Sequence, residues 1–213
     1  AEGFTAGNIL LFAKAAAVGI DPEAAAELEN YCYVWNVGRR DWQKPFENHP
    51  GGFQAEFSPE DTARLERING VRSRVILPLE RFRRELREAD GPGFSTAVYH
   101  LLESIGAADH IEALCRAAEP EEERLRQLEE QDRVWEELMN LLDTLAAAIG
   151  PRRLPLRVLA SLFDSGAAAI RIGEIPQTLD QVIVGTADRI RPTGIRSAYV
   201  IGASAGVFPA ACG

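Results

Sequence analysis

Apolar residues recur along most of this chain at spacings of three, four and seven, the period of one helix face. Only near the C-terminal end does the pattern change to short unbroken β-branched runs. Thr5 is placed to cap a helix over 5–18, with Gly19 as its stop. Asp21-Pro22-Glu23 is a second start signal: a cap, a proline at the first helical position and an acid against the helix dipole. That helix should end between Tyr33 and Val37. Residues 38–57 hold two prolines and three glycines and read as an irregular link, whose Trp42, Phe46 and Phe53 should pack onto the helical body. Ser58-Pro59-Glu60-Asp61 repeats the start signal ahead of an arginine-rich helix over 58–88, kinked by Pro78. Its core-facing stripe is Ile68, Val71, Val75, Leu79, Phe82 and Leu86. Gly91-Pro92-Gly93 reads as a turn before a helix over 95–104, and a short helix follows over 109–118. The clearest helix spans 121–149, with Leu125, Leu128, Trp135, Leu138, Leu142, Leu145 and Ile149 on one side, and another spans 154–165.

The β-type runs are Gln181-Val182-Ile183-Val184 and Ala198-Tyr199-Val200-Ile201, each stopping at a glycine, with Ile170-Arg171-Ile172 as a shorter first strand. A basic, proline-broken loop over 186–196 joins them. A strand that ends at a glycine and opens into a polar loop is how α/β nucleotide-handling cores present groups to phosphates. The expectation is therefore a mainly α chain: a helical domain over 1–169 and a few strands over 170–213. Such a chain reads as part of a larger machine, with both ends as cuts in a longer protein.

Composition narrows the chemistry. The net charge of −9 argues against a surface that coats nucleic acid everywhere, but leaves room for a local basic track. No apolar run approaches the length of a membrane span, and the N-terminal residues lack the basic start of a secretory signal. Three cysteines without CxxC spacing suggest a reducing cytoplasm and no disulfide framework. Gly202-Ala203-Ser204-Ala205-Gly206 matches the nucleophile elbow of α/β-hydrolases, but no acid or histidine follows Ser204, so small residues at a strand exit are the better reading. His49, His100 and His110 fall at no metal-ligand spacing and read as ordinary surface or core residues. No phosphate-binding glycine loop occurs.

The acids crowded over 119–137 read as the solvated face of a long helix. The arginine run Arg64, Arg67, Arg72, Arg74, Arg81, Arg83, Arg84 and Arg87 reads chiefly as an exposed helix face, with contact to a phosphate backbone as the lesser alternative. The loop differs: Thr186, Arg189 and Arg191 offer a hydroxyl and two bidentate donors to a phosphate, with Arg196 in support. A structural loop pinned by an Asp188–Arg189 pair remains the alternative. No catalytic or metal-binding set is expected in this chain.

Leu179 to Gly185, then Asp188 and Arg191, then Tyr199 to Ala203 and Gly206 to Ala210 resemble the AddB family, the B subunits of bacterial ATP-dependent helicase–nucleases within the UvrD-like superfamily. Leu28-Glu29-Asn30-Tyr31-Cys32, followed by Gly38 and Trp42, resembles the same family at the expected distance upstream. The resemblance implies a helical bundle like the 2B accessory subdomain of UvrD-type helicases, followed by strands of a RecA-like domain. It also implies a motor-silent module in double-strand break repair, with single-stranded DNA and an AddA-like subunit as partners. ATP, magnesium and a 4Fe-4S cluster belong to the wider family; no cofactor is expected within this stretch. The rival expectation, from the acidic balance and amphipathic helices, is a helical protein–protein scaffold without DNA contact.

Overall fold

Local start signals become helix caps in the computed structural model, which describes residues 5–53 and 56–170 and the single positions Tyr199 and Ile201. Thr5 Oγ1 accepts the Asn8 amide at 3.2 Å and opens α1 (Ala6–Ala13). Asp21 Oδ2 accepts the amides of Glu23 and Ala24, each at 3.0 Å, at the head of α2 (Pro22–Val34). Ser58 and Asp61 form a reciprocal capping box at the head of α3 (Pro59–Glu85). The Ser58 hydroxyl and amide hold the Asp61 carboxyl below its ordinary range, and His49 adds to the effect. A 3-10 turn, Leu86–Glu88, leads on to α4 (Gly91–Ser104), α5 (Ala107–Arg116), α6 (Glu121–Ile149) and α7 (Leu156–Ala169). Among the described residues every regular element is helical. The chain divides into two units, Ala1–Gly173 and Glu174–Gly213, and all of these helices belong to the first. Apart from Ile170, Tyr199 and Ile201, the expected strands lie outside the described residues.

Three apolar clusters organise the helices. The first joins α1, α2, the link and α3 through Ile9, Leu28, Tyr31, Trp42, Ile68 and Val75. The second joins α4, α6 and α7 through Phe94, Leu145, Ile149 and Leu159. The third, Val18, Ile105 and Ala107, is flanked by Leu101, Leu102 and Trp135. This division explains why α1 stops at Ala13 rather than running to Val18. Ile9 and Ala13 enter the first cluster and Val18 the third; Val18 lies nine residues from Ile9, which on one straight helix would turn it to the opposite side. Ala15 turns extended, and Ala16–Val18 forms a separate 3-10 turn closed by Gly19 at φ 62°. The His110 ring lies where a Gly19 β-carbon would stand, so this turn admits only glycine.

Gly91-Pro92-Gly93 is likewise not a turn ahead of a helix but the first turn of α4, capped by Asp90, whose Oδ1 accepts the Gly93 amide at 2.9 Å. Proline suits this position because first-turn amides lack helical partners. A β-carbon on Gly91 would lie 2.7 Å from Ile149 Cβ and 3.0 Å from Ala146 O, while the Gly91 amide donates to Gly150 O at 2.9 Å. The head of α4 is thus seated on the tail of α6. The α6 stripe is buried at Leu142, Leu145 and Ile149, half-buried at Leu128, Trp135 and Leu138, and open at Leu125, 54% exposed. Trp42 and Phe46 pack into the first cluster as expected. Phe53 does not: it is 88% exposed, its ring meeting Trp35 at a centroid separation of 4.9 Å.

Candidate functional site

The link between α2 and α3 is held by a polar network built on α3. Asn69 Oδ1 accepts the Phe46 amide at 2.7 Å, and its Nδ2 donates to Phe46 O at 2.9 Å. Arg72 Nη1 donates to Trp42 O at 2.6 Å and Nε to Asn69 Oδ1 at 3.3 Å, with the guanidinium 5.8 Å from the Phe46 ring centre. Burial draws the Arg72 pKa below the ordinary guanidinium value. The expectation that Arg72 is exposed is therefore corrected. Its position carried the signal: it follows Ile68 by four residues and precedes Val75 by three, inside the apolar stripe.

Further bonds anchor the C-terminal part of the link. Tyr31 donates its hydroxyl to Asn48 O at 3.1 Å, and burial pushes its phenol up to about 12. Trp35 Nε1 donates to His49 O at 3.0 Å. His49 is buried; its Nδ1 accepts the Gly51 amide at 2.9 Å, so Nε2 carries the proton toward Glu56 O at 3.1 Å. A cleft of about 410 Å³ opens here, lined by Tyr31, Trp35, Asp41, Lys44, Glu47 and Asn48 among others. Aromatic, ammonium, amide and carboxylate groups equip it to bind; its lining holds no serine or cysteine nucleophile beside a base.

The other arginines of α3 and of the 3-10 turn after it divide by partner. Arg64 Nε donates to Glu27 at 2.5 Å, Arg74 Nη2 to Gly19 O at 3.1 Å and Arg81 Nε to Glu85 at 2.8 Å. Arg83, Arg84 and Arg87 are exposed and make no hydrogen bond or ion pair among the described residues. The acids of α6 are a solvated face as expected, paired along the helix: Arg126 with Glu123 at 2.8 Å and Arg124 with Glu121 at 3.5 Å.

Thr186, Arg189, Arg191 and Arg196 lie outside the described residues, as does Ser204. The histidines fill ordinary roles: besides His49, His100 Nδ1 sits 3.0 Å from Glu85 Oε2 and His110 Nδ1 sits 3.3 Å from Ala17 O. Among the described residues no group of three or more His, Cys, Asp or Glu is arranged to hold a metal, and no helix is long and apolar enough to cross a membrane. Cys32 is buried, and desolvation foremost, with Glu29 second, pushes its thiol up to about 12. At pH near 8 Cys32 should therefore resist iodoacetamide until the chain unfolds; site-resolved mass spectrometry of rapid labelling in native buffer would refute this.

The chain is similar to proteins named as the B subunit of an ATP-dependent helicase/deoxyribonuclease. One from Moorella thermoacetica is 32% identical over 206 residues, covering 95% of this chain and 18% of the relative. One from Bacillus thuringiensis subsp. konkukian is 32% identical over 199 residues, covering 89% of this chain and 17% of the relative. One from Bacillus anthracis is 31% identical over the same shares. The chain thus spans less than a fifth of the length of these curated relatives. No protein-family model matches it.

Proposed function

This chain is a homologue of one segment of AddB, the B subunit of the ATP-dependent helicase/deoxyribonuclease, and on that premise we propose that it is a non-catalytic module that guides a DNA strand and docks neighbouring domains. The observation that carries this reading is the match over 95% of the chain at 32% identity. The helical build of the described residues supports the finer assignment of 1–169 to a 2B-like accessory subdomain; residues 170–213 are proposed, from their β-branched runs alone, as returning strands of a RecA-like domain. The proposed setting is double-strand break repair in the cytoplasm, beside an AddA-like motor subunit. The described residues do not fit the family's cofactors. Among them no three or more His, Cys, Asp or Glu are grouped to hold a metal, Cys32 is sealed in the first core, and the sequence has no phosphate loop for ATP with magnesium. A 4Fe-4S cluster, nucleotide and nuclease chemistry are accordingly proposed for other parts of such a protein.

The loop bearing Thr186, Arg189, Arg191 and Arg196 is the proposed strand contact. Arg189→Ala/Arg191→Ala in the full chain should weaken single-stranded DNA binding uniformly across sequences. The slope of log affinity against log salt should fall by about 0.7 for each phosphate that is no longer gripped. Equal affinity and slope for both forms would remove the loop from the interface. The net charge of −9 and the paired acidic face of α6 favour a second reading, a protein–protein scaffold. A chain that shows no DNA binding at low salt, yet associates with an AddA-like motor, would select it.

A further inference from the structure

We propose that Arg39, Arg83 and Arg87 form a second phosphate-tracking surface, where the link between α2 and α3 meets the C-terminal half of α3. The inference rests on the DNA-guiding reading above and extends it to residues that reading does not use. Its starting point is a local reversal of charge. In a chain of net −9, residues 37–45 and 80–87 carry seven basic side chains against three acidic ones, so this corner is cationic. Two of the three acids are engaged elsewhere: Asp41 Oδ2 accepts the Gly38 amide at 2.7 Å, and Glu85 takes Arg81 and His100. The third, Glu80, stands in the wall of the cleft that Arg39 and Arg83 share, one carboxylate against two guanidinium groups.

Geometry brings the cations together. Arg39 and Arg83 line one narrow cleft of about 20 Å³, with Ile9, Gln43, Ile76 and Glu80 as the rest of its wall. Arg87 follows Arg83 by four residues and stands just past the end of α3, in the 3-10 turn Leu86–Glu88. Arg39, Arg83 and Arg87 are exposed and make no hydrogen bond or ion pair among the described residues. The backbone beneath Arg39 is held in place, because Asn69 and Arg72 tie the link to α3 at Phe46 and Trp42. Donors fixed in this way, each able to grip two phosphate oxygens, suit a phosphodiester backbone, which spaces its charges regularly. No base-reading geometry is implied, so the contact is sequence-independent.

The test is a salt titration of the full chain against fluorescein-labelled oligothymidylate. Four forms are compared: wild type, Arg39→Gln/Arg83→Gln/Arg87→Gln, Arg189→Ala/Arg191→Ala, and a control, Arg67→Gln/Arg116→Gln/Arg157→Gln, that removes equal charge elsewhere. The patch variant should bind about tenfold more weakly, with a slope smaller by about 2, and the control should stay near wild type. The patch and control forms should melt with wild type by circular dichroism, since their substituted arginines are exposed. A patch variant that matches the control, while the loop variant is impaired, overturns the patch and leaves the DNA-guiding reading standing. A wild-type chain that does not bind overturns both. Displacement by polyglutamate as readily as by DNA at equal charge would also overturn the patch, by pointing to an acidic polypeptide.

Discussion

Trp42→Ala should lower the unfolding free energy by about 3–5 kcal/mol, measured by urea denaturation followed by circular dichroism. Trp42 has no exposed surface and lies in the first core, edge-on to Phe46 at 5.7 Å between ring centres. It is the largest fully buried side chain, on a link whose regular structure among the described residues is a single 3-10 turn, so its removal opens a cavity between link and α3. Trp42→Phe should recover most of the loss. Its ring refills much of the space, and the indole N–H that disappears has no hydrogen-bond partner among the described residues. A cost under about 1.5 kcal/mol for the alanine form would mean that the link does not depend on this residue.

Arg72→Ala should cost about 3 kcal/mol by the same measurement, because a charged hydrogen bond is removed and a buried acceptor is stranded. Trp42 O loses its 2.6 Å partner, Asn69 Oδ1 loses another, and the Phe46 ring loses the guanidinium beside it. Arg72→Lys should restore little, since an ammonium lacks the planar fork that reaches Trp42 O and Asn69 together. A lysine form as stable as wild type would show that position 72 needs only a cation. The two sites share one network, so the combined variant should fall short of the sum of its parts.

These residues also mark how far the fold can be read before folding is known. Caps are chemistry between a side chain and amides two or three residues away, so Thr5, Asp21 and Ser58 were legible, as was α6 over 121–149. The end of α1 was not, because it depends on two cores that only folding separates. Gly91-Pro92-Gly93 looks like a turn until Ile149 and Gly150 are brought against it. Link aromatics cannot be sorted by type alone: Trp42 and Phe46 have α3 beneath them, and Phe53 has an open flank. As for the site, the basic loop could be named from residue types, whereas the meeting of Arg39 with Arg83 joins distant stretches of chain and shows no local pattern.

The glycine contact between α4 and α6 has a mechanical consequence. One peptide-to-peptide bond, from Gly91 to Gly150, closes the root of this helical pair, with backbone almost touching side chain. A joint so tight leaves no room for a side chain at Gly91, so any residue larger than glycine there would prise the first turn of α4 off the end of α6. The 3-10 turn Leu86–Glu88 is the one covalent step between this pair and α3, which also packs against α4.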